Sequence, residues 1–188
     1  LHQIGAPVEK NKVTLPYFMG SMDKIKPDTN ALDNWKKKYK GHYVLSCKLD
    51  GVSGMYISND KTRNLYTRGD GRIGQDVTHL LRTLELPIMK DAVVRGEFIL
   101  SKKTFHDKYK SRFSNARNLV SGIINSTTID EKTRDMDFIA YEVIHPPMKP
   151  QDQMKYLIRN GFNTVRNATF ADVTNELLSQ ILVDWREQ

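Results

Sequence analysis

Residues 53–68 read SGMYISNDKTRNLYTR and carry the clearest structural pattern in the 188-residue sequence. Two runs containing β-branched and aromatic residues, Ser53–Ser58 and Asn64–Arg68, flank the turn-forming pair Asn59-Asp60. Short runs of this kind, joined by a polar turn, are typical of a β-hairpin. The stretch therefore predicts two antiparallel strands that follow one another directly along the chain.

Other elements are spaced irregularly around this hairpin. Further strands are predicted at Val13–Leu15, Tyr43–Cys47, Ala92–Leu100 and Met136–Ile144, with a short extended piece at Thr164–Val165. Helices are predicted from Ser101 onward and over Pro27–Tyr39 (capped by Asp28 or Thr29), Asp76–Leu84, Asn115–Asn125, Gln151–Asn160 and Ala171–Trp185. Hairpin-like strand neighbours with interspersed helices predict an α+β fold, in which antiparallel sheets are flanked by helices.

The composition indicates one large globular domain or two small ones. Lys and Arg number 29 against 22 Asp and Glu, so the net charge is +7, which permits a polyanionic partner. No apolar run approaches the roughly 20 residues that cross a bilayer, and the first residues do not predict a signal peptide. The single cysteine, Cys47, excludes an intramolecular disulfide and a multi-cysteine zinc site. We therefore expect an intracellular protein without membrane association, in the cytoplasm, in a nucleoid or in the host cell of a virus.

Lys48-Leu49-Asp50-Gly51 follows a predicted strand and is the first candidate for chemistry. A lysine amine attacks an electrophile only after it loses its proton, which burial or neighbouring cations favour. The adjacent glycine would let the backbone approach a ligand closely. These four residues are also compatible with a surface lysine paired with a carboxylate, so the motif by itself does not assign a function.

Further motifs accompany Lys48 in a defined order. Downstream lie Thr67-Arg68-Gly69-Asp70-Gly71, Gly74-Gln75-Asp76-Val77-Thr78, Arg95-Gly96-Glu97 and Asn115-Ala116-Arg117-Asn118, and upstream lies Met19-Gly20-Ser21-Met22-Asp23-Lys24. Taken in this order, the set resembles the adenylation (nucleotidyltransferase) domain of NAD-dependent DNA ligases, from about residue 15 to the C-terminus. The resemblance implies a nucleotidyltransferase (ATP-grasp-like) adenylation fold.

The resemblance also implies a three-step reaction that uses NAD as the AMP donor and Mg²⁺. Lys48 would attack the α-phosphorus of NAD and form a lysyl-AMP phosphoramidate. The AMP would pass to the 5′-phosphate of nicked double-stranded DNA, and the 3′-hydroxyl would then displace AMP and seal the strand. This chemistry requires a nucleophile, cations that stabilise phosphate charge and a pocket for adenosine. DNA replication and DNA repair are the processes that such an enzyme serves.

Roles for individual residues follow from the same resemblance. Lys48 and Asp50 are expected to be catalytic, with Asp50 positioning the lysine or its metal. The residues expected to contact the nucleotide are Ser21, Met22, Ser46, Lys48, Arg68, Glu97 and Arg117. Arg68 would contact ribose or phosphate, Glu97 would bind the ribose or orient the metal, and Arg117 would lie near phosphate or nicked DNA. No dedicated set of metal ligands is predicted.

Each assignment has a structural alternative. Asp50 could belong to a simple turn, and the two arginines could face solvent. Strand alternation places Val93, Arg95 and Glu97 on one face, which is also compatible with a salt-bridged surface. The glycine-rich stretch at residues 69–74 is by itself more typical of a turn than of a phosphate-binding loop. Tyr141 and Glu142 are expected to lie in a core strand without a chemical role.

The sequence departs from the family pattern at four points. Ser46 stands where the family has a glutamate that recognises the adenine amino group, and Asn125 stands where it has a second arginine. The small N-terminal domain that grips nicotinamide mononucleotide is not found, nor are the later D-G-x-V-x-K segment and a final lysine. We expect residues 1–26 to lead into an adenylation-domain core over residues 27–188 that is truncated before the last motifs. Strand sealing would then require the remaining ligase domains or a second subunit.

Two other functions are compatible with the sequence. An ATP-dependent DNA or RNA ligase of the same superfamily would share the lysine motif and the glutamate-bearing strand. A non-catalytic, basic DNA-binding module with a decayed ligase fold would share the charge. The joint presence of Lys48, Asp50, Arg68 and Glu97 favours an enzyme over a decayed module.

Overall fold

The structure is a computed structural model that describes residues 11–22, 24–26 and 29–186. Its strands are β1 Lys12–Thr14, β2 Tyr43–Ser46, β3 Val52–Asn59, β4 Arg63–Thr67, β5 Ile73–Gln75, β6 Asp91–Ile99, β7 Asp137–His145 and β8 Asn167–Phe170. Its α-helices are α1 Ala31–Lys38, α2 Lys102–Lys108, α3 Ala116–Asn125, α4 Glu131–Asp135, α5 Pro150–Arg159 and α6 Asn175–Arg186. Between β5 and β6, Thr78–Arg82 forms a 3₁₀ helix.

The described residues divide into two compact units. The first contains residues 11–21 and 48–165, and the second contains residues 22–47 and 166–186. The first unit holds most of the motifs from Lys48 onward, whereas the second is built from two segments that are distant in sequence. The division between a leading segment at residues 1–26 and a core at residues 27–188 stays a prediction.

A four-stranded antiparallel sheet with the order β4-β3-β6-β7 forms the centre of the first unit. The hairpin predicted from residues 53–68 is confirmed, with β3 and β4 paired from Gly54 opposite Thr67 to Ser58 opposite Arg63. Its turn forms because the side-chain oxygen of Asn59 accepts hydrogen bonds from the backbone N–H groups of Lys61 and Thr62, both at 2.9 Å. An asparagine that closes a turn in this way fixes the register of the strands on either side.

Strand β6 is buried along almost its whole length, from Ala92 to Phe98. On one face, Gly54 of β3 lies opposite Gly96 of β6. A Cβ atom on Gly54 would lie 2.3 Å from the ring of Phe98, and one on Gly96 would lie 2.5 Å from the ring of Phe138. The two rings pack edge to face with centroids 5.2 Å apart. The glycines therefore make room for an aromatic pair in the core.

The opposite face of the sheet packs against the segment that follows β1. Leu15 and Met19 of this segment form a buried cluster with Met55 of β3 and Val93 of β6. Strand β1 in turn pairs with β5 in a separate two-stranded antiparallel sheet. This packing covers the face of β6 that also carries Arg95 and Glu97, so a charged pair lies beside an apolar cluster.

The second unit combines α1 and α6 with an antiparallel pair of strands, β2 and β8. Trp35 of α1 packs its ring against those of Tyr39 and Tyr43, with centroids 5.3 and 5.4 Å apart. Lys36 donates a hydrogen bond to the backbone carbonyl of Val173 at 2.8 Å and lies 2.6 Å from a carboxylate oxygen of Asp172. One lysine of the basic helix is therefore a structural contact within this unit.

The α+β class with antiparallel sheets is confirmed, and several element boundaries differ from those predicted. The helix predicted over Asp76–Leu84 is a shorter 3₁₀ helix, in part because the side chain of Asp76 accepts hydrogen bonds from Thr78 and closes a turn there. Strands β5 and β8 and helix α4 were not predicted, since three to five residues carry little periodic signal. Asp28, one predicted cap of the first helix, lies outside the described residues, and that helix begins at Ala31. No helix in the described ranges is long and apolar enough to span a membrane.

Candidate functional site

Glu97 lies near the end of β6 and is 8% exposed. Its Oε2 accepts a hydrogen bond from the Ser53 hydroxyl at 2.8 Å. Burial raises the pKa of the Glu97 carboxyl, whereas the Ser53 hydroxyl, the backbone N–H of Gly51 and the charges of Arg95 and Arg117 oppose the rise. The alternative of an exposed surface salt bridge is therefore wrong for this residue. A buried carboxylate with dedicated donors is a common feature of functional sites.

The Lys48-Asp50-Gly51 turn lies against the end of β6. Gly51 is buried, and a Cβ atom at this position would lie 1.9 Å from the carbonyl oxygen of Phe98. Only glycine allows this approach, so the motif needs its glycine for packing against β6. Lys48 and Asp50, on the preceding loop, are both exposed. Packing at Gly51 therefore fixes the end of the loop that bears Lys48 and Asp50 against the end of β6 that carries Glu97.

Arg117 reaches the same turn from α3. The helix begins there because the Asn115 side chain accepts a hydrogen bond from the backbone N–H of Asn118 at 2.8 Å, which caps the first turn. This cap places Arg117 in the first turn, where its Nη1 lies 3.7 Å from Oδ1 of Asp50. Both side chains are largely exposed, at 64% and 81%. Solvent screening makes such a pair weak, which leaves both groups available to a ligand.

Arg68 follows β4 and is half-buried. Its Nε donates a hydrogen bond to the carbonyl of Met19 at 3.2 Å, and its backbone N–H donates to the carbonyl of Ser53 at 2.8 Å. Burial lowers the pKa of the Arg68 guanidinium, the charge of Arg95 lowers it further, and Tyr141 and Glu97 oppose the decrease. The predicted alternative of an arginine facing solvent is wrong, because Arg68 is half-buried and its guanidinium is bonded to the Met19 carbonyl.

The glycine-rich stretch after Arg68 forms a tight turn. One side-chain oxygen of Asp70 accepts hydrogen bonds from the backbone N–H groups of Arg72 and Ile73, at 2.9 and 2.8 Å. These hydrogen bonds lower the pKa of the Asp70 carboxyl. Gly71 has a φ of +97°, and its carbonyl accepts a hydrogen bond from Met19. The predicted turn is present, and it holds the Met19 segment in place.

Arg95 is a buried arginine to which the sequence assigned no binding role. Its Nη2 donates a hydrogen bond to the carbonyl of Gly20 at 2.9 Å, and its guanidinium carbon lies 5.7 Å from the centre of the Tyr141 ring. The nearest carboxylate oxygen, on Glu142, is 3.9 Å from Nη1. Arg68 and Arg95 therefore bind consecutive carbonyls of the segment that leads to Ser21.

Tyr141 also belongs to this site, contrary to its expected role in the core alone. Its hydroxyl lies 3.4 Å from Ser53 Oγ, and because Ser53 donates to Glu97, the tyrosine acts as donor to Ser53. Burial raises the pKa of the Tyr141 hydroxyl, which keeps this donor protonated. The β6–β7 register shifts between Arg95 and Gly96, and Tyr141 is the extra residue on β7. Since such a bulge re-aims side chains, simple alternation could not have located Tyr141.

The remaining predicted residues are exposed. Ser21 is exposed in the first unit, next to the Gly20 carbonyl that Arg95 binds. Met22 and Ser46 belong to the second unit, where Met22 is 61% exposed and Ser46 ends β2 opposite Asn167. Asn125, the predicted replacement of an arginine, is the exposed last residue of α3. The structure thus joins Asp50, Arg68, Glu97 and Arg117 through direct contacts or electrostatic interactions.

A family model described as the NAD-dependent DNA ligase adenylation domain matches residues 16–188. The chain belongs to this adenylation-domain family. The match covers all of the positions that the resemblance singled out, from Ser21 to Arg117. It confirms the predicted family and, with the antiparallel sheets, the nucleotidyltransferase adenylation fold.

Two relatives align with this adenylation domain over almost its whole length. A protein named DNA ligase from Acanthamoeba polyphaga mimivirus is 43% identical, with 99% of this chain and 30% of the relative covered. A DNA ligase from Clostridioides difficile is 26% identical, with 94% of this chain and 30% of the relative covered. The chain thus spans about 30% of the length of both relatives. Among solved structures, a lysine-to-alanine variant of an RNA ligase from Naegleria gruberi aligns with 91% of this chain and 50% of its own, at 18% identity and a TM-score of 0.43.

Proposed function

We propose that this chain is the adenylation core of an NAD-dependent DNA ligase, with Lys48 as the nucleophile. In the first step, a bond forms between Lys48 Nζ and the α-phosphorus of NAD. The bond from that phosphorus to the bridging oxygen breaks, and its electron pair leaves with nicotinamide mononucleotide. The amine proton passes to solvent, and the product is a lysyl-AMP phosphoramidate.

The close approach of Gly51 to β6 is the observation that carries this proposal, since a Cβ atom at Gly51 would lie 1.9 Å from the Phe98 carbonyl oxygen. It holds the turn that bears Lys48 and Asp50 against the strand end that carries the buried Glu97, which is 46 residues from Gly51 in sequence (97 − 51 = 46). A surface lysine beside a carboxylate would require neither this approach nor a glycine at this position.

Three charged side chains around this turn are of the kinds that bind a nucleotide. Arg68 is half-buried beside Glu97 and could form paired hydrogen bonds with a phosphate or ribose. Arg117 is exposed beside Asp50 and could bind phosphate of the nucleotide or of DNA. Glu97 could accept hydrogen bonds from ribose hydroxyls. We include Ser21, Met22 and Ser46 as further nucleotide contacts on the basis of the family resemblance.

Magnesium is the metal that this chemistry implies. Within the described ranges, no group of three or more His, Cys, Asp or Glu side chains is placed to hold a metal ion. Mg²⁺ commonly binds through one or two carboxylates together with substrate phosphates, and Asp50 and Glu97 are the carboxylates on hand for that arrangement. When bound, the metal would neutralise charge that develops on the phosphates.

Transfer of AMP to DNA and strand sealing are proposed for the full-length protein. The partners are nicked double-stranded DNA and the other ligase domains, or a second subunit that carries them. The net charge of +7 and the exposure of Arg117 support an anionic duplex as partner. NAD and DNA both place such an enzyme inside a cell, in replication or repair.

Adduct mapping tests the proposal directly. The full-length protein is incubated with Mg²⁺ and either NAD or ATP labelled in the adenylate, and the labelled residue is identified by mass spectrometry. We expect an acid-labile AMP adduct on Lys48 from NAD, with release of nicotinamide mononucleotide. An adduct from ATP with release of pyrophosphate would instead favour the ATP-dependent ligase. Absence of an adduct from both donors, with retained DNA binding, would favour the non-catalytic module.

A further inference from the structure

Arg95 is more buried than the other charged residues of the site apart from Glu97, and its burial is poorly compensated. Arg95 is 9% exposed, while its nearest carboxylate, on Glu142, is 3.9 Å away and 43% exposed. Its Nε is buried and has no acceptor among the residues that the structure describes. Removing a guanidinium from water without full pairing costs free energy, and an apolar side chain would fill the space more favourably. Stability alone therefore does not account for an arginine here.

The contacts that Arg95 does make hold a specific segment in place. Its Nη2 binds the carbonyl of Gly20, which is 75 residues away in sequence, while Arg68 binds the neighbouring carbonyl of Met19. Met19 is fully buried, and a Cβ atom on Gly20 would lie 3.2 Å from the Phe18 ring. Two guanidinium groups thus fix consecutive peptide units just before Ser21.

Arg95 also acts on the groups around Glu97. Its guanidinium lies over the Tyr141 ring, and the Tyr141 hydroxyl contacts Ser53, which donates to Glu97. The charge of Arg95 lowers the pKa of Glu97, against the larger effect of burial. One side chain therefore influences both sides of the site, the Ser21 segment and the carboxylate.

We propose that Arg95 is a positioning residue for adenylate transfer: it fixes the Gly20 carbonyl and the Tyr141 ring, and thereby places Ser21 and Glu97 for the nucleotide. This inference rests on the proposed function, which supplies the nucleotide. Arg95 acts through these neighbours and does not contact the reacting phosphorus. Its guanidinium is suited to the task because it is planar and can bind a carbonyl and an aromatic face simultaneously.

The test compares Arg95→Met and Arg95→Lys in the full-length protein. Single-turnover formation of lysyl-AMP is measured over a range of NAD concentrations, per folded molecule. We expect Arg95→Met to raise the half-saturating NAD concentration about tenfold and to lower the saturated rate, as expected for the loss of a charged hydrogen bond. Arg95→Lys retains one donor and the charge, so it should recover part of both losses.

Arg63→Met is the matched control. Arg63 is a half-buried arginine on β4 whose Nη1 donates to the backbone carbonyl of Leu86 at 3.5 Å. This hydrogen bond joins β4 to the loop before β6, so loss of the Arg63 side chain should lower the unfolding temperature without changing the dependence of adenylation on NAD. A merely structural role for Arg95 predicts this same pattern for Arg95→Met.

Hydrogen exchange supplies a readout that needs no activity. In Arg95→Met the backbone amides of residues 19–21 should exchange about tenfold faster than in the wild type, because one of the two guanidinium hydrogen bonds to this segment is gone. Wild-type exchange there, together with wild-type dependence on NAD in a folded Arg95→Met protein, would overturn the positioning role. Absence of lysyl-AMP in the wild-type protein would instead overturn the proposed function, so the two failures are distinguishable.

Discussion

Ser53 donates a hydrogen bond from its hydroxyl to the Glu97 carboxylate at 2.8 Å, and the two residues lie directly opposite each other on β3 and β6. Glu97 is buried, so this bond opposes the rise in its pKa that burial causes. Tyr141 approaches Ser53 from β7 and extends the connection to a third strand. The pKa of Glu97 is therefore influenced by Ser53 on β3, and Tyr141 on β7 contacts this serine.

Ser53→Ala should make adenylation more sensitive to acid. Without the hydroxyl, the pKa of Glu97 rises further, so the acid limb of the pH–rate profile for lysyl-AMP formation moves to higher pH. We expect the rate below neutral pH to fall on the order of tenfold, as for a lost hydrogen bond to a charged group.

Ser58→Ala is the matched control for this change. Ser58 is a fully buried serine on the same strand, and its hydroxyl bonds the backbone of Met89 instead of a carboxylate. Its loss should lower the unfolding temperature and leave the pH profile in place. Identical pH profiles for Ser53→Ala and the wild type would remove Ser53 from the site.

Glu97→Gln should strongly reduce activity while it stabilises the fold above acidic pH. Because burial raises the pKa of Glu97 in the folded state, the contribution of this group to stability is complete below its unfolded pKa and decreases as pH rises through the folded pKa. Glutamine does not ionise, so the variant does not lose this stability as the pH rises. The unfolding temperature of Glu97→Gln, relative to the wild type, should therefore be higher at pH 7.5 than at pH 4, while lysyl-AMP formation falls by at least about a hundredfold.

The exposed Glu85 supplies the control for that measurement. Glu85→Gln should change neither the relative unfolding temperature at the two pH values nor the adenylation rate. A Glu97→Gln protein that adenylates Lys48 at the wild-type rate would exclude Glu97 from the reaction.

Gly51→Ala should damage both the fold and the reaction, because the added methyl group meets the Phe98 carbonyl. The strain should lower the free energy of unfolding by about 1–3 kcal/mol and displace the loop that bears Lys48.

Gly122, within α3, supplies the control, because a Cβ atom added there would meet nothing within 4 Å. Gly122→Ala should therefore stabilise the protein by about 0.5–1 kcal/mol, with no effect on adduct formation. Denaturant unfolding and adduct yield measure the two effects separately.

Arg117→Ala should reduce activity without reducing stability. Its ion pair with Asp50 is exposed and long, at 3.7 Å, so removing it should leave the unfolding temperature unchanged. A phosphate-binding role predicts that lysyl-AMP formation or the later transfer to nicked DNA falls about tenfold or more. Arg134→Ala, at an exposed arginine of α4, is the control and should affect neither step. An Arg117→Ala protein with wild-type rates in both steps would contradict the assignment.

Local patterns were sufficient for elements whose signals lie within a few residues of one another. The hairpin at β3 and β4 is an example, because Asn59 closes the turn and alternating side chains define each strand. Helix α3 is another, since the Asn115 cap and its apolar face are both visible in sequence. Strand β5 was not predicted, because it depends on a distant partner: it pairs with β1 some 60 residues earlier (Gln75 opposite Lys12, so that 75 − 12 = 63).

The same distinction applies to the residues of the candidate site. The family and the candidate residues Lys48 and Glu97 followed from the order of motifs, because each motif is local. Arg95 and Tyr141 did not, because their roles depend on the irregular register between β6 and β7. Alternation cannot predict which residue a bulge inserts, and therefore cannot predict which side chain faces Glu97.

By itself, then, the sequence determined which reactive groups are present and in what order: Lys48 with Asp50, Arg68, Glu97 and Arg117. Only the tertiary structure decided which of them are buried and which neighbours they have. Burial and hydrogen bonding depend on pairs of residues 44 to 75 positions apart, such as Ser53 with Glu97 and Gly20 with Arg95. Because a carboxyl pKa responds to desolvation and to donors from other strands, the chemistry of Glu97 became defined only when β3, β6 and β7 came together.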